Sequence, residues 1–156
     1  MRLKKNTKVV TFKESYHGET YVGFAEDKTE KDIFNSFLTW ISYYSTTFAS
    51  YCGWDKTFNA QIKADFQESL TLKGSSKFIE YQSEEFGIQV TACFYKEDKD
   101  NLPTNLNRGH CSASITLTLE VDVPSLHDGN ILHEDLAHLT YSMSITDLKD
   151  VRFLID

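Results

Sequence analysis

The stretch CSASITLTLEVDV, residues 111–123, alternates apolar and polar side chains without interruption, and Pro124 follows it. Successive side chains of a β-strand point to opposite faces, so this pattern predicts a strand with one buried and one polar face. Such clean alternation is typical of antiparallel sheets that expose one side to water. The pattern returns in LTYSMSI, residues 139–145, which we interpret as a second strand; the alternative is a helix over residues 131–143.

Five further segments are predicted to complete the sheet. The runs KVVTFKE (8–14) and YVGF (21–24), joined by the turn-forming SYHGE, indicate a β-hairpin. In residues 60–72 the even positions are apolar except for Glu68, which favours a long strand over a helix. Weaker strand patterns occupy residues 78–82 and 87–97.

Residues 29–52 carry the pattern of one long amphipathic helix. Thr29 is predicted to be its N-cap, with Asp32 in the third helical position, and Gly53 is predicted to stop it. Trp40 and Tyr43 widen the apolar stripe beyond what one packed face requires, so either the hairpin covers them or they contact a partner. The stripe itself repeats at intervals of three or four residues through Ile33, Phe37, Ile41, Tyr44, Phe48 and Tyr51.

Together these elements predict an α+β fold in a single domain. A long-stranded, mostly antiparallel sheet carries one long amphipathic helix on its apolar face, and a short C-terminal helix begins with Thr146 as its N-cap. The predicted parts are a basic arm and hairpin (1–25), the long helix (29–52), the antiparallel sheet (58–145) and the C-terminal helix (146–156), which together make up the domain 1–156.

Charge and composition restrict the function. The net charge is −7, and because residues 1–13 hold five basic residues and no acid, residues 14–156 carry −12. An acidic body repels phosphate backbones and attracts basic partners, which argues against nucleic-acid binding. No stretch approaches the roughly 20 apolar residues of a membrane span and no secretory signal is evident, so we expect a cytoplasmic protein. Cys52, Cys93 and Cys111 lack CxxC spacing and are expected to be reduced.

The run HEDLAH, residues 133–138, comes within one residue of a zinc-hydrolase motif, in which histidines at i and i+4 of a helix bind one ion. Its two histidines are five residues apart, about 140° around a helix, so they point to different faces. His127, Asp128 and Asp135 crowd the same region, but no fixed spacing brings them together. We therefore expect no metal site and no cofactor.

The chain lacks the common signatures of catalysis. It contains no GxSxG nucleophile elbow and no phosphate-binding GxGxxG or GxxxxGK, which favours a noncatalytic protein. Glu68 is the one charged residue among the apolar even positions of residues 60–72. A carboxylate on the core-facing side of a strand must be paired, protonated or returned to water by a bulge. The alternative places Glu68 at the mouth of a pocket between helix and sheet, in a small-ligand-binding or enzymatic α+β roll.

We expect a noncatalytic, acidic protein that binds another protein. An inhibitor of the immunity-protein type, which masks a basic partner, and a small chaperone both fit, and a homodimer is compatible with the same features. The candidate contact residues are Trp40 and Tyr43 on the helix and Glu120 and Asp122 on the best strand. The hydroxyl-rich strand face, from Ser112 to Thr118 and from Thr140 to Ser144, is flat and uncharged, and exposed strand edges beside it offer a place for another chain to add a strand.

Overall fold

The computed structural model describes residues 7–15, 17–44, 58–83, 88–98, 115–122 and 138–147. Within these ranges the chain forms six strands and two helices, so the fold is α+β. The elements follow one another as β1 (Lys8–Glu14), β2 (Thr20–Ala25), α1 (Glu30–Tyr44), α2 (Asn59–Ser69), β3 (Ser75–Ser83), β4 (Ile88–Lys96), β5 (Ile115–Asp122) and β6 (His138–Asp147).

The six strands form one open sheet in the order β2-β1-β6-β5-β4-β3, and every neighbouring pair is antiparallel. The alternation in the sequence sets its two faces. In β5 the odd residues are buried and the even ones half-buried or exposed, as predicted. The register places Leu119 between Ala92 of β4 and Tyr141 of β6, so the apolar residues of neighbouring strands share one face.

Strand β6 decides between the two interpretations of the segment before the C-terminus. Residues His138–Asp147 are extended and pair with both β5 and β1, which confirms the strand and contradicts a helix through residue 143. Thr146 lies inside this strand opposite Val9, so its predicted role as a helix N-cap is wrong. The remainder of the predicted C-terminal helix, residues 148–156, lies outside the described residues.

Helix α1 begins where its capping residues predict. The backbone N–H of Asp32 donates to Oγ1 of Thr29 at 3.1 Å, and the N–H of Thr29 donates back to Oδ2 of Asp32 at 3.2 Å. This reciprocal pair satisfies two N–H groups that a helix start otherwise leaves open. The helix is described to Tyr44, so its predicted extension to residue 52 lies outside the described residues.

The prediction of a strand over residues 60–72 is wrong, because Asn59–Ser69 is helix α2. Ile62 and Phe66 are fully buried, whereas Ala60 and Ala64 are exposed. The buried positions are thus four residues apart, the spacing of one helix face. The alternation is only apparent, because Ala60 and Ala64 supply two of its apolar positions. Alanine is the best helix former and tolerates exposure.

The core lies between the helices and one face of the sheet. The two helices contact each other through Phe34 and Phe66, whose stacked rings have centroids 4.2 Å apart. Phe37 of α1 packs against Phe12 of β1 at 5.3 Å. The hydroxyl of Tyr81 in β3 donates to Oδ2 of Asp65 in α2 at 2.7 Å. Both helices therefore cover the same side of the sheet and leave its other side uncovered by any described element.

Candidate protein-binding face

The opposite side of strands β3 to β6 forms a broad polar surface, which we call the outer face. Its members follow from the register: residues beside the buried ones on each strand point away from the helices. Most are half-buried by their neighbours, and hydroxyl groups dominate the middle strands. The outer face consists of Ser76, Phe78, Glu80, Gln82, Gln89, Thr91, Cys93, Tyr95, Thr116, Thr118, Glu120, Asp122, Thr140, Ser142 and Ser144.

Three carboxylates lie close together on the outer face. Thr91 pairs with Glu80 on one side and with Glu120 on the other, so the two acids flank one residue. They are two strand spacings apart, about 10 Å. Asp122 follows on the same face of β5, and Glu80 and Glu120 are exposed. Within β3 to β6 the outer face contains no lysine or arginine, so its formal charge is negative, and Lys13 of the neighbouring β1 lies opposite Ser142 on the same side of the sheet.

An exposed aromatic ring lies beside these acids. Phe78 pairs with Cys93 across β3 and β4, and 70% of its surface is accessible. It is the neighbour of Glu80 along the outer side of the edge strand. A large apolar side chain exposed to this extent costs solvation free energy, and aromatic residues of this kind are enriched at protein–protein contacts. Phe78 and the three carboxylates thus combine an apolar anchor with a negative field.

Cys93 lies at the centre of this group but is not set up for catalysis. Burial raises the pKa of its thiol, and the charge of Glu120 acts in the same direction. A hydrogen bond with Ser76 favours the thiolate and only partly opposes this rise in the pKa. The thiol is therefore protonated at neutral pH, whereas a nucleophilic cysteine needs a lowered pKa.

The predicted contact residues lie on two different surfaces. Glu120 and Asp122 belong to the outer face, as the alternation of β5 requires. Trp40 is half-buried on α1, on the other side of the sheet, and its ring packs against Phe12 with centroids 5.8 Å apart. Tyr43 belongs to α1, but its side chain lies outside the described residues. The sheet therefore separates the acidic pair from Trp40.

Glu80 and Phe78 were missed by reasoning from the sequence. The signal was present, because the strand predicted over residues 78–82 alternates Ile79 and Tyr81 with these two residues. The sequence does not show that β3 lies next to β4, or that Thr91 brings Glu80 beside Glu120. Only the register places residues 40 positions apart on one patch.

Glu68 does not face the core. It lies on the exposed side of α2 with 69% of its side chain accessible, and its Oε1 is 3.6 Å from Nζ of Lys77. The prediction that Glu68 faces the core assumed a strand over residues 60–72. Residues 60–69 belong to helix α2 instead, so the assumption does not hold. The carboxylate is solvated and paired, so the reason for placing it in a pocket is removed.

A groove does lie between a helix and the sheet, but elsewhere. It has a volume of about 650 Å³ and runs between α1 and the β1–β2 hairpin. Phe12, Tyr21 and Trp40 line it, whereas Glu68 is not one of its lining residues. The groove is therefore separate from both Glu68 and the outer face.

In the part of the chain that the structure describes, no group of three or more His, Cys, Asp or Glu side chains is arranged to hold a metal ion. The histidines 127 and 133 and the acids beside them lie outside that part. Neither α1 nor α2 is long and apolar enough to cross a membrane.

No protein-family model, curated protein or solved structure matches this chain. Relatives therefore offer no guide to its activity.

Proposed function

We propose that the protein is a noncatalytic, acidic binding protein whose outer face covers a basic surface of another protein. Inhibitors of the immunity-protein type and small cytoplasmic chaperones act in this way. The observation that carries the proposal is the composition of the outer face, where Glu80, Glu120 and Asp122 lie together without a lysine or arginine and beside the exposed Phe78.

The carboxylates supply steering and selection among partners. A surface with one sign of charge accelerates encounter with a surface of the opposite sign and repels a like-charged one. The net charge of −7 for the whole chain adds to the local field. A partner should therefore be basic, and its association should slow as salt screens the field over a Debye length of about 10 Å at 0.1 M.

Phe78 supplies the apolar part of the contact. Buried aromatic side chains near the centre of an interface commonly contribute most of the binding free energy. The half-buried hydroxyls of Thr116, Thr118, Ser142 and Ser144 extend the same surface and offer both donors and acceptors.

The proposal is tested by photo-crosslinking in lysates of the source organism, irradiated at low and at high salt. The photoreactive amino acid p-benzoylphenylalanine replaces Phe78 on the outer face in one strain and Ala60, on α2 at the other side of the sheet, in a control strain. Both native side chains are exposed, so the probe is accessible at each position. Adducts are identified by mass spectrometry.

We expect an adduct with a basic protein at position 78 that is absent at position 60 and does not form when irradiation is done at high salt. The adduct should also disappear when Glu80, Glu120 and Asp122 are replaced by glutamine or asparagine. An acidic partner, the same adducts at both positions, a second copy of this chain as the adduct or no adduct at all would each count against the proposal.

A further inference from the structure

Strand β2 is the last described strand at one end of the sheet, and one row of its backbone groups points away from β1. The N–H of Glu14 donates to the carbonyl of Glu19 at 3.0 Å, which makes these two residues a hydrogen-bonded pair of the β1–β2 ladder. Along an antiparallel ladder, hydrogen-bonded pairs alternate with pairs that are not hydrogen-bonded. Tyr21 and Gly23 therefore bond to β1. The N–H and C=O groups of Thr20, Val22 and Phe24 point away from β1. No described strand pairs with this outer edge.

The edge of β2 lacks the features that usually prevent strand addition. Edge strands are commonly protected by lysine, proline, bulges or inward-pointing charges. The segment TYVGFA contains no charged residue and no proline. Its apolar side chains are also accessible, with 45% of Tyr21, 64% of Val22 and 54% of Phe24 exposed. The opposite edge strand, β3, differs because it carries Lys77 and Glu80.

The groove described above runs directly beside this edge. One wall is the core side of the hairpin, with Phe12 and Tyr21, whose ring centroids are 5.4 Å apart. The other wall is α1, where Asp32, Ser36 and Trp40 recur at intervals of four residues. Its volume of about 650 Å³ lies in the range of specific binding pockets, about 300–1,000 Å³.

We propose that β2 and this groove together bind an extended segment of a partner protein. The segment adds to the edge of β2 as a further strand, and its alternate apolar side chains enter the groove against α1. The outward N–H and C=O groups of Val22 and Phe24 can form ladder hydrogen bonds with an extended backbone. The groove accommodates apolar side chains on one face of that backbone. This proposal does not depend on the outer face.

The register defines which side chains of the added strand enter the groove. Residues opposite Tyr21, Gly23 and Ala25 share the core side of the sheet, so their side chains point toward α1. Gly23 has no side chain there, and the phenol of Tyr21 lies over the place that a Cβ of Gly23 would take. The ring of Tyr21 thus forms part of the groove floor.

Charged side chains at the rim of the groove further restrict the sequence of the bound segment. Glu26 and Asp32 line the groove together with one base, Lys28. Hydrogen bonds from Thr29 lower the pKa of Asp32, so its carboxylate is ionised at neutral pH. The charged lining residues sum to −1, and a basic residue of the bound segment beside Glu26 and Asp32 complements them. The expected ligand is thus an extended peptide with alternating apolar residues and a basic end.

The test selects peptides from a phage-displayed library of random dodecapeptides on the full-length protein and measures their affinity by fluorescence polarisation. Val22→Pro removes one outward N–H and leaves the hydrogen bonds to β1 intact, because Val22 does not bond to β1. Val22→Thr keeps the N–H and the β-branched side chain and is the matched control. Ser36→Trp fills the groove from the exposed face of α1 without changing β2.

We expect enriched peptides to alternate apolar residues and to carry a basic end. Val22→Pro and Ser36→Trp should each weaken binding by about tenfold or more, while Val22→Thr stays within about twofold. Bound peptide should also slow amide exchange at Val22 and Phe24. If circular dichroism shows that Val22→Pro is misfolded, Ser36→Trp and the exchange data decide.

The proposal is overturned if no peptide is enriched over a scrambled control, or if enriched peptides bind both variants as tightly as the wild type. It is also overturned if sedimentation shows a wild-type dimer that becomes a monomer in Val22→Pro. In that case a second copy of this chain occupies the edge.

Discussion

The carboxylate of Glu14 accepts the backbone N–H of His17 with both of its oxygens, at 2.8 and 3.1 Å. One of these oxygens also accepts the N–H of Glu19 at 3.1 Å, and Nδ1 of His17 lies 3.5 Å away. The side chain of Glu14 is completely inaccessible to solvent. A single buried acid therefore accepts two backbone amides of the β1–β2 turn and ties the start of β2 to the end of β1.

Glu14→Gln should destabilise the protein by about 2 kcal/mol, because it places a buried NH2 donor against the N–H of His17, where Oε2 now accepts. The free energy of unfolding in urea, followed by circular dichroism, measures this cost. Glu19→Gln is the control: only the backbone of Glu19 takes part in the turn, so its effect should stay within about 0.5 kcal/mol. Equal effects at the two positions would show that the buried carboxylate has no special role.

Because α2 is a helix, the even positions 62 and 64 differ in burial. Ile62→Ala should cost about 2–5 kcal/mol because Ile62 is fully buried, whereas Ala64→Gln should change stability by less than about 0.5 kcal/mol. A strand would bury both side chains and make Ala64→Gln costly as well. Urea denaturation of the two variants distinguishes these cases, and a large loss for Ala64→Gln contradicts the helix.

Hydrogen bonding between β3 and α2 gives a third prediction. Burial raises the pKa of Tyr81, so its hydroxyl stays protonated and donates to Asp65. Tyr81→Phe should cost about 1 kcal/mol, at the low end for a bond to a charged group because the half-buried Asp65 can recover water. Asp65→Asn keeps an acceptor and should cost less. Thermal unfolding that ranks the two variants the other way would be inconsistent with this hydrogen bond.

The position of Cys93 beside Glu120 predicts its reactivity. In a Cys52→Ser, Cys111→Ser background, alkylation of Cys93 by iodoacetamide should rise with pH and reach its midpoint above 9.0, the ordinary pKa of the thiol. Only the thiolate reacts, so a raised pKa lowers the rate at pH 8.

Two substitutions test the groups that set this pKa. Glu120→Gln removes a negative charge and should speed alkylation at pH 8 by about twofold. Ser76→Ala removes the hydrogen bond that favours the thiolate and should slow it. No change with Glu120→Gln would place its carboxylate too far from Cys93 for the proposed acidic cluster.

The sheet was predictable where the pattern of burial is visible along one strand. Strands β5 and β6 were found from alternation, because each has one core face and one polar face, and the β1–β2 hairpin was found from two strand-forming runs joined by a turn. Helix α2 was missed because exposed Ala60 and Ala64 imitate the apolar side of a strand. Short apolar residues carry little information about burial, so periodicity that depends on them is ambiguous.

The candidate binding surfaces were less predictable than the strands. Glu120 and Asp122 were identified from one strand, but Glu80 and Phe78 join them only through the β3–β4–β5 register. The groove beside β2 depends on where α1 packs, and tertiary packing is not encoded in the local pattern that defines either element. Surfaces assembled from distant segments therefore required the structure.

The most direct test of the outer face measures, at low salt, the Kd of the cross-linked partner for two triple variants. Each variant loses three negative charges. The outer-face variant should bind at least about tenfold more weakly, mainly through slower association, and the control should stay within about twofold of the wild type. Equal affinity of the two variants would contradict the central claim. The variants are Glu80→Gln, Glu120→Gln, Asp122→Asn on the outer face, and Glu19→Gln, Glu30→Gln, Glu68→Gln as the control.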